Sequence, residues 1–425
     1  MREEIRETRL ENGLTILTDK MAGVRSVTLG FFYRVGSRHE PLELNGISHF
    51  IEHTVFKGTE RRSALEIAVE TDRLGGNLDA FTTHEDTAFA MKIIDDRFDQ
   101  AFDLIADMLT SPRFDEIDLE SEQRVIIEEM KMIDDSPEEY LGDIFHCAFF
   151  PDHPLGLSIA GTPETVKQFG SAMTSEYHRR SFCPSNLVIT AAGNISHDRL
   201  VERASAMDLQ RFAANETPNP FDIALPSAAA PIIVEHRSEL EQAHLIIASP
   251  FVNARDDRRY AADLLTNIIG GGTSSRLWQK VREERGLAYS VGSSAVLFSD
   301  CGMFSVSAGT SPEQVGEVVD IVIDEMRSIV RNGIRAEELQ LMKDQARASV
   351  LLGLEDSATR AATLAHMEMT HGRQIPLEES LAKLAAITMD DIVAIARDSF
   401  QTEAVAFAAI GDFSDFKIDR DRLTI

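Results

Sequence analysis

The stretch Gly46-Ile-Ser-His49-Phe-Ile-Glu52-His53-Thr-Val-Phe-Lys-Gly58 decides how the rest of the chain is read. His49 and His53 are four residues apart, so on an α-helix they fall about 40° from each other on one face. Two imidazoles at that spacing can grip one metal ion. Glu52, one turn from His49 and beside His53, is placed to take a proton from a metal-bound water. The spacing predicts a helix with Asn45 as its cap and Gly58 as its stop. On these residues alone, a chance spacing with one of the two a hydrogen-bonded core histidine stands level with the metal reading, and the rest of the chain has to decide.

The chain has 425 residues, enough for two domains that each bury a core. Its 43% apolar and 26% charged residues are ordinary for a soluble globular protein. No window approaches ~18 uninterrupted apolar residues, so no membrane span is expected. The charged Met1-Arg-Glu-Glu-Ile-Arg-Glu-Thr8 lacks the apolar centre of a secretory signal. Cys147, Cys183 and Cys301 are odd in number and far apart, which argues against a disulfide framework or a cysteine-bound metal. The expectation is a reduced, cytoplasmic protein. With 70 acids against 42 bases the net charge is −28, a field that repels nucleic acid and anionic membranes and attracts cationic ligands.

Taken in order, the chain repeats itself. Leu14-Thr-Ile-Leu-Thr18 and Val27-Thr-Leu-Gly-Phe-Phe-Tyr33 read as strands ahead of the histidine helix. Ser63 and Glu66 form a capping box for a helix that ends at Gly75-Gly76. Asp79 to Lys92 reads as one long strand-like run, followed by helices carrying Phe98 to Leu109 and about Asp115 to Ile133. Leu187-Val-Ile-Thr-Ala-Ala-Gly-Asn194 closes the first half as a strand. A proline-rich linker, 213–231, leads to the same order again, and Val405-Ala-Phe-Ala-Ala-Ile-Gly-Asp412 echoes the first closing strand. Matching Gly193 to Gly411 gives an offset of 218, and Leu119 to Leu339 gives 220. The expectation is a tandem duplication of one α+β unit, residues 1–212 and 232–425. The second copy of the histidine helix, near Ala262 to Thr266, holds no histidine. A polar triad kept in one copy only favours a site over helix packing.

A catalytic zinc needs a third protein ligand. On the helix 115–133, Glu122, Val125, Ile126, Glu129 and Ile133 share a face, so Glu129 points where apolar neighbours point, a costly place for an unpaired carboxylate. Glu128, near Arg124, reads as solvated. In the second copy Glu122 and Glu129 become Met342 and Ser349. Glu129 is therefore a candidate ligand, the alternative being an exposed helix acid.

His49-x-x-Glu52-His53 inverts the commoner zinc-protease motif, the signature of inverzincins. Followed 76 residues later by the second glutamate of Val125-Ile-Ile-Glu-Glu129-Met, it resembles the pitrilysin and insulysin family of zinc metallopeptidases, and the two-domain length resembles the mitochondrial processing peptidase branch and its bacterial relatives. The resemblance spans essentially the whole chain. It implies one zinc held by His49, His53 and Glu129, Glu52 as general base, and Glu122, seven residues before the distal ligand, orienting the site. It implies that Arg282 and Tyr289, in Val281-Arg282-Glu-Glu-Arg285-Gly-Leu-Ala-Tyr289, contact the substrate and its oxyanion. It implies that an extended substrate pairs with an edge strand at Asp79-Ala80-Phe81-Thr82, where this chain has Asp79 in place of the family's usual asparagine. It offers Gly270-Gly-Gly272 as a loop that touches substrate. The fold implied is two homologous α/β domains, each a mostly antiparallel sheet covered by helices, forming half of a clamshell chamber. A homodimer would then complete four domains. The function expected is a zinc endopeptidase acting on peptides or unfolded segments. The rival is a non-catalytic partner subunit of the same fold, although such subunits typically lose motif residues and none is missing here. From Asp115 to Glu139 eleven acids face two bases, so basic peptides are the expected substrates.

Overall fold

The computed structural model describes residues 4–212, 224–413 and 416–425. It divides into two compact units. The first comprises Met1–Lys131, Leu157–Ala224 and Leu351–Ile375; the second comprises Met132–Gly156, Leu225–Val350 and Pro376–Ile425.

The first unit is built on six strands: β1 (Ile5–Arg9), β2 (Thr15–Lys20), β3 (Ser26–Tyr33), β4 (Leu78–Thr82), β5 (Thr87–Ile94) and β6 (Leu187–Gly193). Their order is β1-β2-β6-β3-β5-β4, antiparallel throughout except for the parallel pair of β2 and β6. The second unit has five: β7 (Ile232–His236), β8 (Ala243–Phe251), β9 (Ala288–Leu297), β10 (Gly302–Thr310) and β11 (Ala406–Gly411). Their order is β7-β11-β8-β10-β9, again with one parallel pair, β7 with β11. Without β1, the two sheets have one topology strand for strand. The repeat legible in the closing strands is thus a repeat of the whole sheet, and the fold is two α/β units of mostly antiparallel strands.

Both faces of each sheet are covered. In the first unit the large core combines Val27, Leu29 and Phe31 of β3 with helices α1 (Ile47–Thr54), α2 (Ala64–Leu74), α3 (Phe98–Thr110) and α4 (Glu116–Asp135). The opposite face, with Leu17, Phe32, Ala88 and Val188, is covered by Leu364 and Ala365 of the helix Ser357–His371. In the second unit α5 (Pro137–Phe149) lays Leu141, Phe145 and Phe149 on Ala248, Ala406, Ala408 and Ile410. Each unit therefore takes one covering helix from the other half of the sequence. Helix Ser357–His371 is held by charge as well as by apolar contact. Buried Arg360 donates to buried Asp19 at 2.6 Å, and buried Glu368 accepts from Arg9 and Arg34 at 2.9 and 3.0 Å.

Three local expectations are corrected. The run from Asp79 to Lys92 is a hairpin of β4 and β5, turned at Thr83–Asp86, where the Thr83 hydroxyl accepts from the Glu85 and Asp86 amides. Asn45 does not cap α1. Gly46 sits at the N-cap with φ 95°, a left-handed conformation that glycine adopts freely, and a distant side chain satisfies the amides. On α4, Val125 is not part of the buried stripe: Leu119, Glu122 and Ile126 are buried, whereas Val125 is exposed.

Candidate metal and catalytic site

Helix α1 turns Ile47, Phe50, Ile51 and Thr54 into the core, which leaves His49, Glu52 and His53 on its other side, only partly covered. Its first turn is fixed by Glu40, a buried residue whose carboxylate accepts from the Gly46 and Ser48 amides, both at 2.7 Å. That is a helix cap supplied from outside the helix. Burial outweighs those N–H bonds and pushes the Glu40 carboxyl up to about 7.

Opposite α1, α4 brings Glu129 to both imidazoles. Its Oε2 lies 3.9 Å from His49 Nε2 and 3.7 Å from His53 Nε2, and one ligand atom from each of the three residues falls within 4.8 Å of the others. These separations are too long for hydrogen bonds. Two ligands of a tetrahedral zinc, each about 2.0–2.2 Å from the ion, stand roughly 3.3–3.6 Å apart, so Glu129 Oε2 stands from each imidazole nitrogen a few tenths of an ångström beyond the spacing of groups around an ion. Glu129 Oε2 is also buried with no hydrogen-bond partner, although a buried carboxylate oxygen is among the costliest groups to leave unpaired. The donor set, two imidazoles and one carboxylate, suits zinc, and it is the group of this kind found among the described residues. The Glu129 side chain is nearly half exposed as a whole. Only the one oxygen is enclosed.

Glu122 stands behind the cluster. Its Oε2 is 3.4 Å from His53 Nδ1, and Lys57 Nζ is 2.6 Å from its Oε1. Burial opposes its charge, yet the hydrogen bonds from His53 and Lys57 prevail and hold it below the usual carboxylate range. With Nδ1–H donated to Glu122, the His53 lone pair is left on Nε2, the atom that faces Glu129. Burial alone would lower His53; the Glu122 bond and the charges of Glu129 and Glu52 raise it instead. His49, which lacks such a partner at Nδ1, is pushed down to about 4 by burial and then by His53. It is therefore neutral, the form that can bind a cation.

Glu52 projects beside this cluster, and Thr82 Oγ1 donates to its Oε2 at 2.7 Å. Burial raises the Glu52 pKa against the Thr82 bond and the His53 charge. Thr82 ends β4, which lies at the sheet edge with β5 as its one neighbour. Asp79 and Phe81 are exposed there, while Ala80 and Thr82 are half-buried.

Arg282 and Tyr289 belong to the second unit. Arg282 lies in a π-helical segment, Trp278–Glu283, and its guanidinium stands 4.1 Å from the Trp278 ring centroid and 5.1 Å from that of Tyr289. Tyr289 is 81% exposed. The sequence reading did not single out Glu40, Lys57 or Trp278. Lys57 was findable, since it follows His53 by four residues and so shares its face. Glu40 gave no signal, because its cap crosses a loop.

The chain belongs to peptidase family M16. Residues 15–163 match the family model described as Insulinase (Peptidase family M16), and residues 174–346 match that of the Peptidase M16 inactive domain. An uncharacterized zinc protease of Streptomyces coelicolor is 37% identical over 98% of this chain and 91% of its own length. The uncharacterized zinc protease YmxG of Bacillus subtilis is 35% identical over 96% and 98%. Among solved structures, a protease from Helicobacter pylori superposes with a TM-score of 0.89 at 21% identity, covering 96% of this chain and 99% of that one. A peptidase M16 inactive domain from Pseudomonas fluorescens gives 0.90 at 18%, covering 97% and 100%. At those identities the solved structures speak for the fold.

Proposed function

We propose that this chain is a zinc-dependent endopeptidase that cleaves peptides or unfolded segments, basic ones preferentially. The observation that carries the reading is Glu129 Oε2, buried, without a hydrogen-bond donor, and 3.7–3.9 Å from two imidazole nitrogens. His49, His53 and Glu129 would hold one zinc per chain, and the names of the bacterial relatives support that metal. Bound there, zinc would supply a Lewis acid and a water of lowered pKa.

The chain's own groups do the rest. Glu52 takes the proton of the attacking water and passes it to the leaving amine. Thr82 holds Glu52 Oε2 and leaves Oε1 as the proton carrier. Glu122, steadied by Lys57, aims His53. The open edge of β4 at Asp79-Ala80-Phe81-Thr82 pairs with an extended peptide through backbone groups, for which Asp79 in place of asparagine is no obstacle. Tyr289 donates its exposed hydroxyl to the oxyanion and Arg282 its N–H groups to the peptide. We further propose a cytoplasmic homodimer. Among the described residues no helix is long and apolar enough to cross a membrane.

Cleavage of a peptide library by the purified chain, with and without chelator, tests the reading. Chelator-sensitive internal cleavage, abolished in Glu52→Gln while zinc is retained, is the expected result. Intact peptides throughout would leave the rival, a partner subunit without turnover. Within one peptide scaffold, Arg substitutions should be cleaved faster than Glu at low salt, with the gap closing as salt rises.

A further inference from the structure

We propose that Trp278 is a positioning residue that holds Arg282 ready for a peptide, and that its indole reports peptide binding; this rests on the reading of Arg282 and Tyr289 as substrate contacts. The indole stands 4.1 Å from the guanidinium, the closer of the two rings over which Arg282 lies. The backbone gives the indole a second anchor. In an α-helix, residues five apart point about 140° away from each other. In the i→i+5 turn of Trp278–Glu283 they converge, and Trp278 Nε1 donates to Glu283 Oε1 at 3.0 Å. That bond pins the indole, and the indole with the Tyr289 ring confines the guanidinium. Gly286, at φ 62°, then turns the chain into β9, which sets Tyr289 beside Arg282.

The guanidinium is confined without being consumed. Two other arginines of this stretch are paired with carboxylates, Arg276 with Glu325 and Glu338, and Arg285 with Glu317. Among the described residues Arg282 has ring contacts and no carboxylate partner. A cation held by ring faces keeps its in-plane N–H groups for an incoming acceptor, and a pre-placed donor loses less side-chain freedom on binding. A peptide backbone carbonyl or carboxylate fits those donors.

Trp278 is the single tryptophan of the chain, so its emission reads this one place. The experiment titrates full-length Glu52→Gln protein, which should bind without cutting, with an extended tryptophan-free peptide, following indole emission and heat of binding together. Expected is a saturable emission change with the calorimetric midpoint, lost in Arg282→Ala. In the cleaving enzyme, Trp278→Ala should raise KM between about 2- and 30-fold, the span of a cation–π contact, with smaller change in kcat, and Trp278→Phe should restore it. Heat of binding with unchanged emission, or a Trp278→Ala KM equal to wild type, overturns the inference alone. No heat for any peptide overturns the endopeptidase reading as well.

Discussion

Glu52 has two carboxylate oxygens, and Thr82 occupies one of them at 2.7 Å. The Thr87 hydroxyl gives its own proton to the Val35 carbonyl at 2.8 Å and could accept from Thr82, but at 3.4 Å, so the Thr82 proton goes to the nearer, charged Glu52. Thr82→Val keeps the shape and removes the donor. Freed to rotate, the Glu52 carboxylate should lose alignment with the water, and kcat should fall about tenfold, ~1.4 kcal/mol, with zinc content unchanged and Thr82→Ser close to wild type. An unchanged kcat in the valine variant would show that Glu52 is aligned by something else. The spacing of His49, Glu52 and His53 was legible because helical period alone puts them together. The Thr82 contact was not, because β4 meets α1 only after the sheet has formed, and no local pattern encodes that meeting.

At the scale of the element, α1 depends on a cap that its own neighbourhood does not supply. Glu40 reaches the Gly46 and Ser48 amides, and burial lifts its carboxyl from an ordinary 4.5 to about 7. A carboxyl whose pKa is raised on folding lends stability that is full below its unfolded value and lost as pH rises through the folded value. In metal-free protein, the Tm of wild type relative to Glu40→Gln should therefore climb as pH falls from 7 toward 4.5. A difference that stays flat over that range would contradict the assignment. Element boundaries set by capping chemistry were readable: the Ser63–Glu66 box stands as expected, with Gly75 in the left-handed conformation at the C-cap. The β4–β5 turn was not, since Thr83-His-Glu-Asp86 holds neither glycine nor proline, and a side-chain hydroxyl makes the turn instead.

For the whole molecule, duplication explains both the matching sheets and the contrast between their helices. Glu122, 3% exposed, and its counterpart Met342, 5% exposed, are buried alike, so one position holds a charge where the site is and an apolar side chain where it is not. The exchange of covering helices could not be read from the sequence, because an apolar helix stripe says that a sheet is covered and not which one. Their partners are chosen by specific groups, such as the buried pair of Arg360 and Asp19. Arg360→Ala leaves Asp19 buried without its cation and should cost about 3–5 kcal/mol in denaturant unfolding. A loss under ~1 kcal/mol would mean that apolar contact alone docks the helix.

In the proposed enzyme His49, His53 and Glu129 hold the ion on which turnover depends. This role is tested most directly by adding zinc back to metal-stripped chain and following hydrolysis of one extended peptide. Expected are no rate without metal, a rise that saturates at one zinc per chain, and a curve for Glu129→Gln shifted to much higher free zinc. A rate indifferent to zinc, or a Glu129→Gln curve that overlays the wild type, would contradict that role.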